Sequence, residues 1–274
     1  MEQGLAMVKS PRRVPFCMAP LGSEADALTS DSTDVGRVVV RLLGQDHFVC
    51  TDGALGVAGR PWPAQEAAAN AVLKLLPSAS RAPILVVLGA GCGALSMAMA
   101  ACQELVAGRR VVATDLPEVL PLLRRNCASL APEVLSCRAL RWGDVLEARR
   151  LVAEAGVVHG SAASSCVVAC EVAYWGGWDL FEEDTREPLA ATLDALIIGP
   201  EGLGILVHEV RDAVREASLF DMLRKRGLVI CRVRPLQDQE LGEGQVGVWA
   251  IHRQQPYSEG GALAFCGAAV ASGF

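Results

Sequence analysis

The run Val86-Val87-Leu88-Gly89-Ala90-Gly91-Cys92-Gly93 and its sequel Val111-Val112-Ala113-Thr114-Asp115 decide the fold of this chain. An apolar, β-branched run stops at a glycine-rich turn. Small residues from about Ala94 to Ala107 read as a helix, and a second apolar run ends in one carboxylate. That is strand, tight turn, helix, strand: one βαβ unit of a nucleotide-binding sheet. Glycines let a backbone approach a ligand closely, and a helix N-terminus offers unpaired N–H groups. Asp115 can accept hydrogen bonds from both hydroxyls of a ribose. Gly89, Gly91 and Ala94 also satisfy the spacing of dinucleotide enzymes. The glycine turn by itself therefore leaves the ligand open, and leaves open a turn that only packs a helix on a strand.

Composition narrows the class. The chain has 274 residues, of which 51% are hydrophobic and only 5% aromatic, so the core is aliphatic. No run reaches the ~18 apolar residues of a membrane span. A net charge of −6 argues against a broad nucleic-acid surface and favours a basic partner. The 10 cysteines are scattered, with no Cys-x-x-Cys pair. They read as core thiols of a reducing compartment, cytoplasmic or nuclear, and not as disulfides or a metal site.

Outward from the βαβ unit, residues 1–36 show no period and read as disordered. Lys9, Arg12 and Arg13 lie there without a continuous apolar segment, which speaks against a secretory signal. Val38 to Leu43 and His47 to Thr51 flank Gly44-Gln45-Asp46 and suggest a hairpin, with His47 on the surface. Gly53 to Pro63 is a punctuated loop. After it, Ala64, Ala67, Ala68, Ala71, Val72, Leu75 and Leu76 share one helical face. Trp62, just before that helix, either plugs its start or walls a pocket.

After Asp115, Pro117 suits a first helical turn, and the helix runs to about Leu130. Val134 to Leu140 is a third strand, ending in Arg141-Trp142-Gly143-Asp144. Trp142 at a strand's carboxyl end is either core or a platform for a base. Glu147 to Ala155 is a short helix. The buried run Cys166 to Cys170 delivers Glu171-Val172-Ala173-Tyr174. Asp179, Glu182, Glu183, Asp184 and Glu187 form an acidic run, either a solvated loop or an attractant for a basic partner segment. A helix opened by Pro188, a strand from Gly204 to Val210 and a helix ended by Gly227 follow. Leu228 to Val233 and Val246 to His252 are joined too closely for a helical crossover and pair antiparallel. Residues 254–274 read as a flexible tail, which leaves 37–253 as the folded domain.

Seven sheet strands with a terminal hairpin depart from the ordinary dinucleotide pattern. The chain resembles the class I, seven-β-strand methyltransferases of the methyltransferase-like protein-lysine group. That group has, in order, a Gly-x-x-x-x-Trp loop, Glu-Leu-Gly-Ala-Gly-Thr-Gly, Thr-Asp-Leu-Pro, Trp-Gly and Asp-x-x-Tyr. This sequence has Gly56 to Trp62 with one extra residue, Val87 to Gly93, Thr114 to Pro117, Trp142-Gly143 and Glu171 to Tyr174. The resemblance runs from about Arg37 to Arg253.

It implies an α/β, Rossmann-like sheet, mostly parallel with helices on both faces, and S-adenosyl-L-methionine as cofactor. On matching positions, Trp62, Gly89, Ala90 and Gly91 would flank the methionine end of the cofactor, Gly93 would also border it, Asp115 would hold its ribose, and Trp142 and Cys170 would lie near the adenine or the adjoining strand end. Glu171 and Tyr174 would border the acceptor, a lysine of a protein substrate. Two positions depart: Val87 replaces an acidic residue that helps hold the cofactor's amino group, and Glu171 replaces an aspartate. A catalytically impaired binding module of the same fold, or a nicotinamide oxidoreductase, are the competing readings.

Overall fold

The computed structural model describes residues 35–76, 82–160, 162–173, 184–234 and 244–253. Of the segment 1–36 read above as disordered, 1–34 lie outside these, whereas Val35 and Gly36 pair with Asp52 and Thr51 in a strand; the tail 254–274 and Tyr174, Asp179, Glu182 and Glu183 also lie outside.

The chain begins with an antiparallel hairpin of β1 (Val35–Leu42) and β2 (Gln45–Asp52). A 3₁₀ segment, Gly53–Gly59, kinks at Gly56 and leads to α1 (Ala64–Leu75). Then come β3 (Ile84–Leu88), α2 (Ala94–Ala101), α3 (Gln103–Val106), β4 (Arg110–Asp115), α4 (Leu120–Cys127), β5 (Leu135–Ala139) and α5 (Val145–Ala153). The second half holds β6 (Ser165–Cys170), α6 (Arg186–Leu196), β7 (Leu203–Glu209), α7 (Ala213–Lys225), β8 (Leu228–Arg234) and β9 (Val246–Arg253).

Strands β3 to β9 form one seven-stranded sheet in the order β5-β4-β3-β6-β7-β9-β8. The first five run parallel, and β9 lies antiparallel to both β7 and β8. The central strands are buried throughout, as expected of a sheet covered on both faces. Alternation sends Val87, Ala113 and Val168 to the cluster under α1, α2 and α4. It sends Val86, Leu88 and Val167 to the cluster under α5, α6 and α7. Because β3 and β6 are neighbours but lie in different halves of the chain, their carboxyl ends meet at the switch point where open α/β sheets bind ligands.

Several boundaries differ from the sequence reading. The helix expected from Ala94 to Ala107 breaks at Cys102, whose extended backbone separates α2 from α3. The helix expected from Pro117 begins at Leu120, leaving Pro117 in the turn after β4. The sixth helix starts at Arg186, two residues before Pro188, which the first helical turn tolerates. His47 is buried, not on the surface. Pairing from Gln45 puts His47 and Val49 on the inner face of the hairpin and turns Phe48, 59% exposed, outward. Among the described cysteines, seven carry free thiols, but Cys231 on the edge strand β8 is disulfide-bonded. An edge position leaves its side chain only partly covered, unlike the core cysteines of β6.

One buried side chain ties the hairpin to the sheet. Asn126 on α4 donates through Nδ2 to Cys50 O (2.9 Å) and Cys92 O (2.7 Å), and its Oδ1 accepts from the Cys50 amide at 2.9 Å. These bonds fix β2, the glycine loop and α4 to one another. Asn126→Leu leaves two carbonyls and one amide without partners in a buried setting. The substitution is expected to cost about 2–4 kcal/mol, read as a lower urea midpoint with an unchanged m-value. A loss under ~0.5 kcal/mol would show that water or local relaxation replaces the clamp.

Candidate cofactor and acceptor site

The site is built at the carboxyl ends of β4, β3, β6 and β7. The turn after β3 carries Gly89, Gly91 and Gly93 with φ of 66°, 55° and 89°. All three lie in the left-handed region that side chains disfavour. Space excludes side chains as well. A Cβ on Gly89 would stand 2.8 Å from Val172 Cγ1 and 3.5 Å from the Trp142 ring, and one on Gly91 would stand 3.0 Å from Ala58 O. Gly93 precedes α2, and a Cβ there would meet Leu123 Cδ1 at 2.7 Å. The loop is therefore gripped on one side by the 3₁₀ segment before α1 and on the other by the residue that follows Glu171.

Asp115 closes this loop from below. Its Oδ2 accepts from the Gly91 amide at 2.7 Å and its Oδ1 from the Leu116 amide at 2.8 Å. The Ala90 amide donates to Thr114 O at 2.9 Å, so the glycine turn and the end of β4 are laced together. Asp115 is 9% exposed. Burial pushes its carboxyl above the ordinary range; the two amides pull it back, and nearby Glu118 pushes it further up.

Trp142 is half-buried. It sits after β5, where the Gly143 amide donates to Thr192 Oγ1 at 2.8 Å and Asp144 caps α5 through the Glu147 amide at 3.0 Å. Its ring lies beside Gly89, on the α5–α6 face. Cys170 is on the opposite, α1-side face, and burial holds its thiol well above its usual range. The structure therefore brings Trp142, Gly89 and Asp115 together and leaves Cys170 apart from Trp142.

On the other flank stands Trp62, whose Nε1 donates to Val57 O at 2.9 Å. The Arg60 guanidinium lies 4.4 Å from its ring centroid and that of Arg211 lies 6.0 Å away. Glu171, at the end of β6, is buried and adopts φ 56°. Its Oε1 accepts from the Glu209 amide at 2.9 Å and its Oε2 from Arg211 Nη2 at 2.7 Å. A buried carboxylate needs such partners. Glu171 is thus locked to the end of β7, with Arg211 reaching from it toward Trp62. Of the acidic run, Asp184 pairs with Arg186, which holds its carboxyl down to about 2, and Glu187 pairs with Arg226.

Asn126, Thr192, Arg211 and Ala58 were missed by the sequence reading. Each acts through a partner distant in sequence, such as Cys50, Gly143, Glu171 or Gly91. Only the Glu171 and Trp62 positions hint at a partner for Arg211.

The model of a family described as lysine methyltransferase matches residues 48–226. No curated protein matches. Among solved structures, a T. thermophilus 16S rRNA N2 G1207 methyltransferase in complex with AdoMet and guanosine is 18% identical, with a TM-score of 0.50. That match covers 85% of this chain and 53% of the other, so the chain spans about half that protein's length. A TehB-like SAM-dependent methyltransferase from Corynebacterium glutamicum is 16% identical, with 73% of this chain and 93% of the other covered and a TM-score of 0.43. At 18% identity the T. thermophilus structure speaks to the fold alone.

S-Adenosylmethionine is the cofactor, and the residues fit it: a cradle of glycines that side chains would fill, with a buried carboxylate beside it. A carboxylate accepts from two hydroxyls only when ionised. A ribose held by Asp115 would favour the ionised form, so affinity would fall as pH drops through the raised carboxyl pKa of the free protein. The dissociation constant for S-adenosylhomocysteine should therefore weaken from a pH above the ordinary aspartate value of about 3.9 downward. Asp115→Asn should bind more weakly at neutral pH and show a flat profile. Calorimetry across the acidic range, with circular dichroism to verify the fold, checks this; a wild-type profile as flat as the variant's would detach Asp115 from the ribose.

Proposed function

Because the chain belongs to the lysine methyltransferase family, we propose that it transfers a methyl group to a lysine side chain of a protein substrate. The observation that supports this reading is the family match across residues 48–226, the stretch that supplies the 3₁₀ loop, the glycine turn, Asp115, Trp142 and Glu171. The protein is a methyltransferase; the lysine acceptor and the protein substrate are our reading.

When bound, S-adenosylmethionine supplies an electrophilic methyl group. The chain has to hold, orient and dehydrate. The glycine turn lets the backbone close on the cofactor, and Asp115 fixes its ribose. Trp142 offers a face for the adenine, beside Gly89. Trp62, carried by the 3₁₀ loop that touches Gly91, walls the opposite flank. Glu171 and Tyr174 border the acceptor in this reading, with Tyr174 outside the described residues. Glu171 contributes chiefly as a positioning group, since its carboxylate is already bonded to Arg211 and the Glu209 amide. A lysine amine has a pKa near ~10.4 and must shed its proton before it can attack. Removal from water lowers that value, and in-line alignment supplies much of the remaining gain.

A second reading, a catalytically impaired module that binds cofactor or a partner protein, has its own support. Val87 is 1% exposed within the apolar cluster beneath α1 and its side chain offers no hydrogen bond, where the resembling family has a carboxylate. One assay separates the two. The purified chain is incubated with labelled S-adenosylmethionine and a proteome extract. Label is expected in bands that survive ribonuclease and vanish with protease, and mass spectrometry is expected to place it on lysine. Trp142→Ala should weaken S-adenosylhomocysteine binding with the fold intact. Were Trp142 core instead, the substitution would lower stability by ~3–5 kcal/mol and spare affinity. Cofactor binding without transfer to any extract would favour the impaired module, and label sensitive to ribonuclease would overturn the protein acceptor.

A further inference from the structure

S-Adenosylmethionine ends in an amino acid, a zwitterion whose carboxylate and ammonium both need partners once water is removed. Val87 provides none, so other residues must hold that end. Strand order says where they lie. The cofactor's parts are joined in one sequence: base, ribose, sulfonium, amino acid. The carboxyl edge of the sheet, taken in the order β5-β4-β3-β6-β7, presents Trp142, Asp115, the glycine turn, Glu171 and Arg211. With the ribose on Asp115 and the base toward Trp142, the amino acid lies across the glycine turn, over the ends of β6 and β7. At ~4.8 Å per strand, the end of β6 is roughly 10 Å from that of β4.

Two groups stand on that flank. The Arg211 side chain is 36% exposed, and Glu171 at 2.7 Å and Glu209 at 3.7 Å hold its guanidinium in place. Trp62, 6.0 Å from it, bounds the same space. The second group is Gln65, on the first turn of α1. Its amide donates to Trp62 O at 3.1 Å. The residue is 7% exposed, and its buried Oε1 has no hydrogen-bond partner among the described residues. A buried amide oxygen left unpaired costs free energy, and a ligand N–H removes that cost. Upstream of this helix, Ala58 of the 3₁₀ segment lies against Gly91 of the glycine turn.

We propose that Arg211 and Gln65 together hold the amino-acid end of the cofactor, Arg211 taking its carboxylate and Gln65 Oε1 its ammonium. A guanidinium matches a carboxylate with two parallel hydrogen bonds, which lysine cannot reproduce. The pair does the work of the carboxylate absent at Val87, and it ties cofactor binding to the Glu171–Arg211 pair of the acceptor flank.

The test compares two ligands by calorimetry on the full chain. S-Adenosylhomocysteine carries the amino acid; 5′-methylthioadenosine shares its base, ribose and thioether but lacks it. Wild type is expected to prefer S-adenosylhomocysteine. Arg211→Met should weaken that ligand by about tenfold to a hundredfold, and Gln65→Leu by about threefold to tenfold, with 5′-methylthioadenosine unchanged within about twofold for both. Arg211→Lys, which keeps the charge if the methionine variant does not fold, should lose affinity for S-adenosylhomocysteine alone. Equal losses for both ligands would mark these residues as merely structural and overturn the proposal, as would undiminished binding of S-adenosylhomocysteine. A wild type that binds neither ligand would overturn the cofactor assignment itself and the proposal with it.

Discussion

The structure turns on a buried carboxylate that accepts two backbone amides. Asp115 holds the Gly91 amide through one oxygen and the Leu116 amide through the other, at 2.7 and 2.8 Å. An ionised group in this position is costly to desolvate, and the amides offset part of that cost. The arrangement does two things. It fixes the glycine turn in its left-handed conformation without any side chain in the turn itself. It also keeps a buried carboxylate at the end of β4, against the glycine turn that follows β3. The helices, the hairpin and Asn126 serve largely to keep this turn and this carboxylate in register.

The two flanks of the cleft are secured differently. Toward β5, small contacts do the work: Gly89 against Val172 and Trp142, and Gly143 bonded to Thr192. Toward β7, charge does it. Glu171, in a backbone conformation unusual for a residue with a side chain, is stitched to Arg211 and to the Glu209 amide. Such a conformation persists only where its surroundings over-determine it, and it recurs at functional sites. Had Glu171 faced an open cavity as a lone anion, ammonium capture would be its natural role. Already paired, it holds the Arg211 guanidinium and the end of β7.

Much of this was legible in the sequence, for identifiable reasons. Glycine spacing and the β-branched runs of β3 and β4 carry local, strong signals, so the βαβ unit, Asp115 and the sheet strands were readable. The antiparallel end of the sheet followed from a connection too short for a helix. The break at Cys102 was not readable, because small apolar residues on both sides continue the helical pattern. His47 was misjudged because one residue of strand phase decides which face it takes. Asn126 and Arg211 were invisible for another reason. Their roles depend on partners 76 and 40 residues away, and no local period encodes such a pairing.

The position of β9 bears on how the sheet can be assembled during synthesis. β8 leaves the ribosome before β9 yet lies outside it, and β9 fills the slot between β8 and β7. Until Val246–Arg253 has emerged, β7 is an open edge, and Trp249, which stacks 4.6 Å from the buried His208 ring, is missing from the core. A nascent chain at that stage exposes one face and one unpaired rim of an otherwise apolar strand, the kind of surface that invites pairing with another molecule. Vectorial synthesis therefore places the vulnerable interval of this fold late, after the cofactor half is already formed, and makes the β8–β9 connection the step at which a chaperone has most to protect.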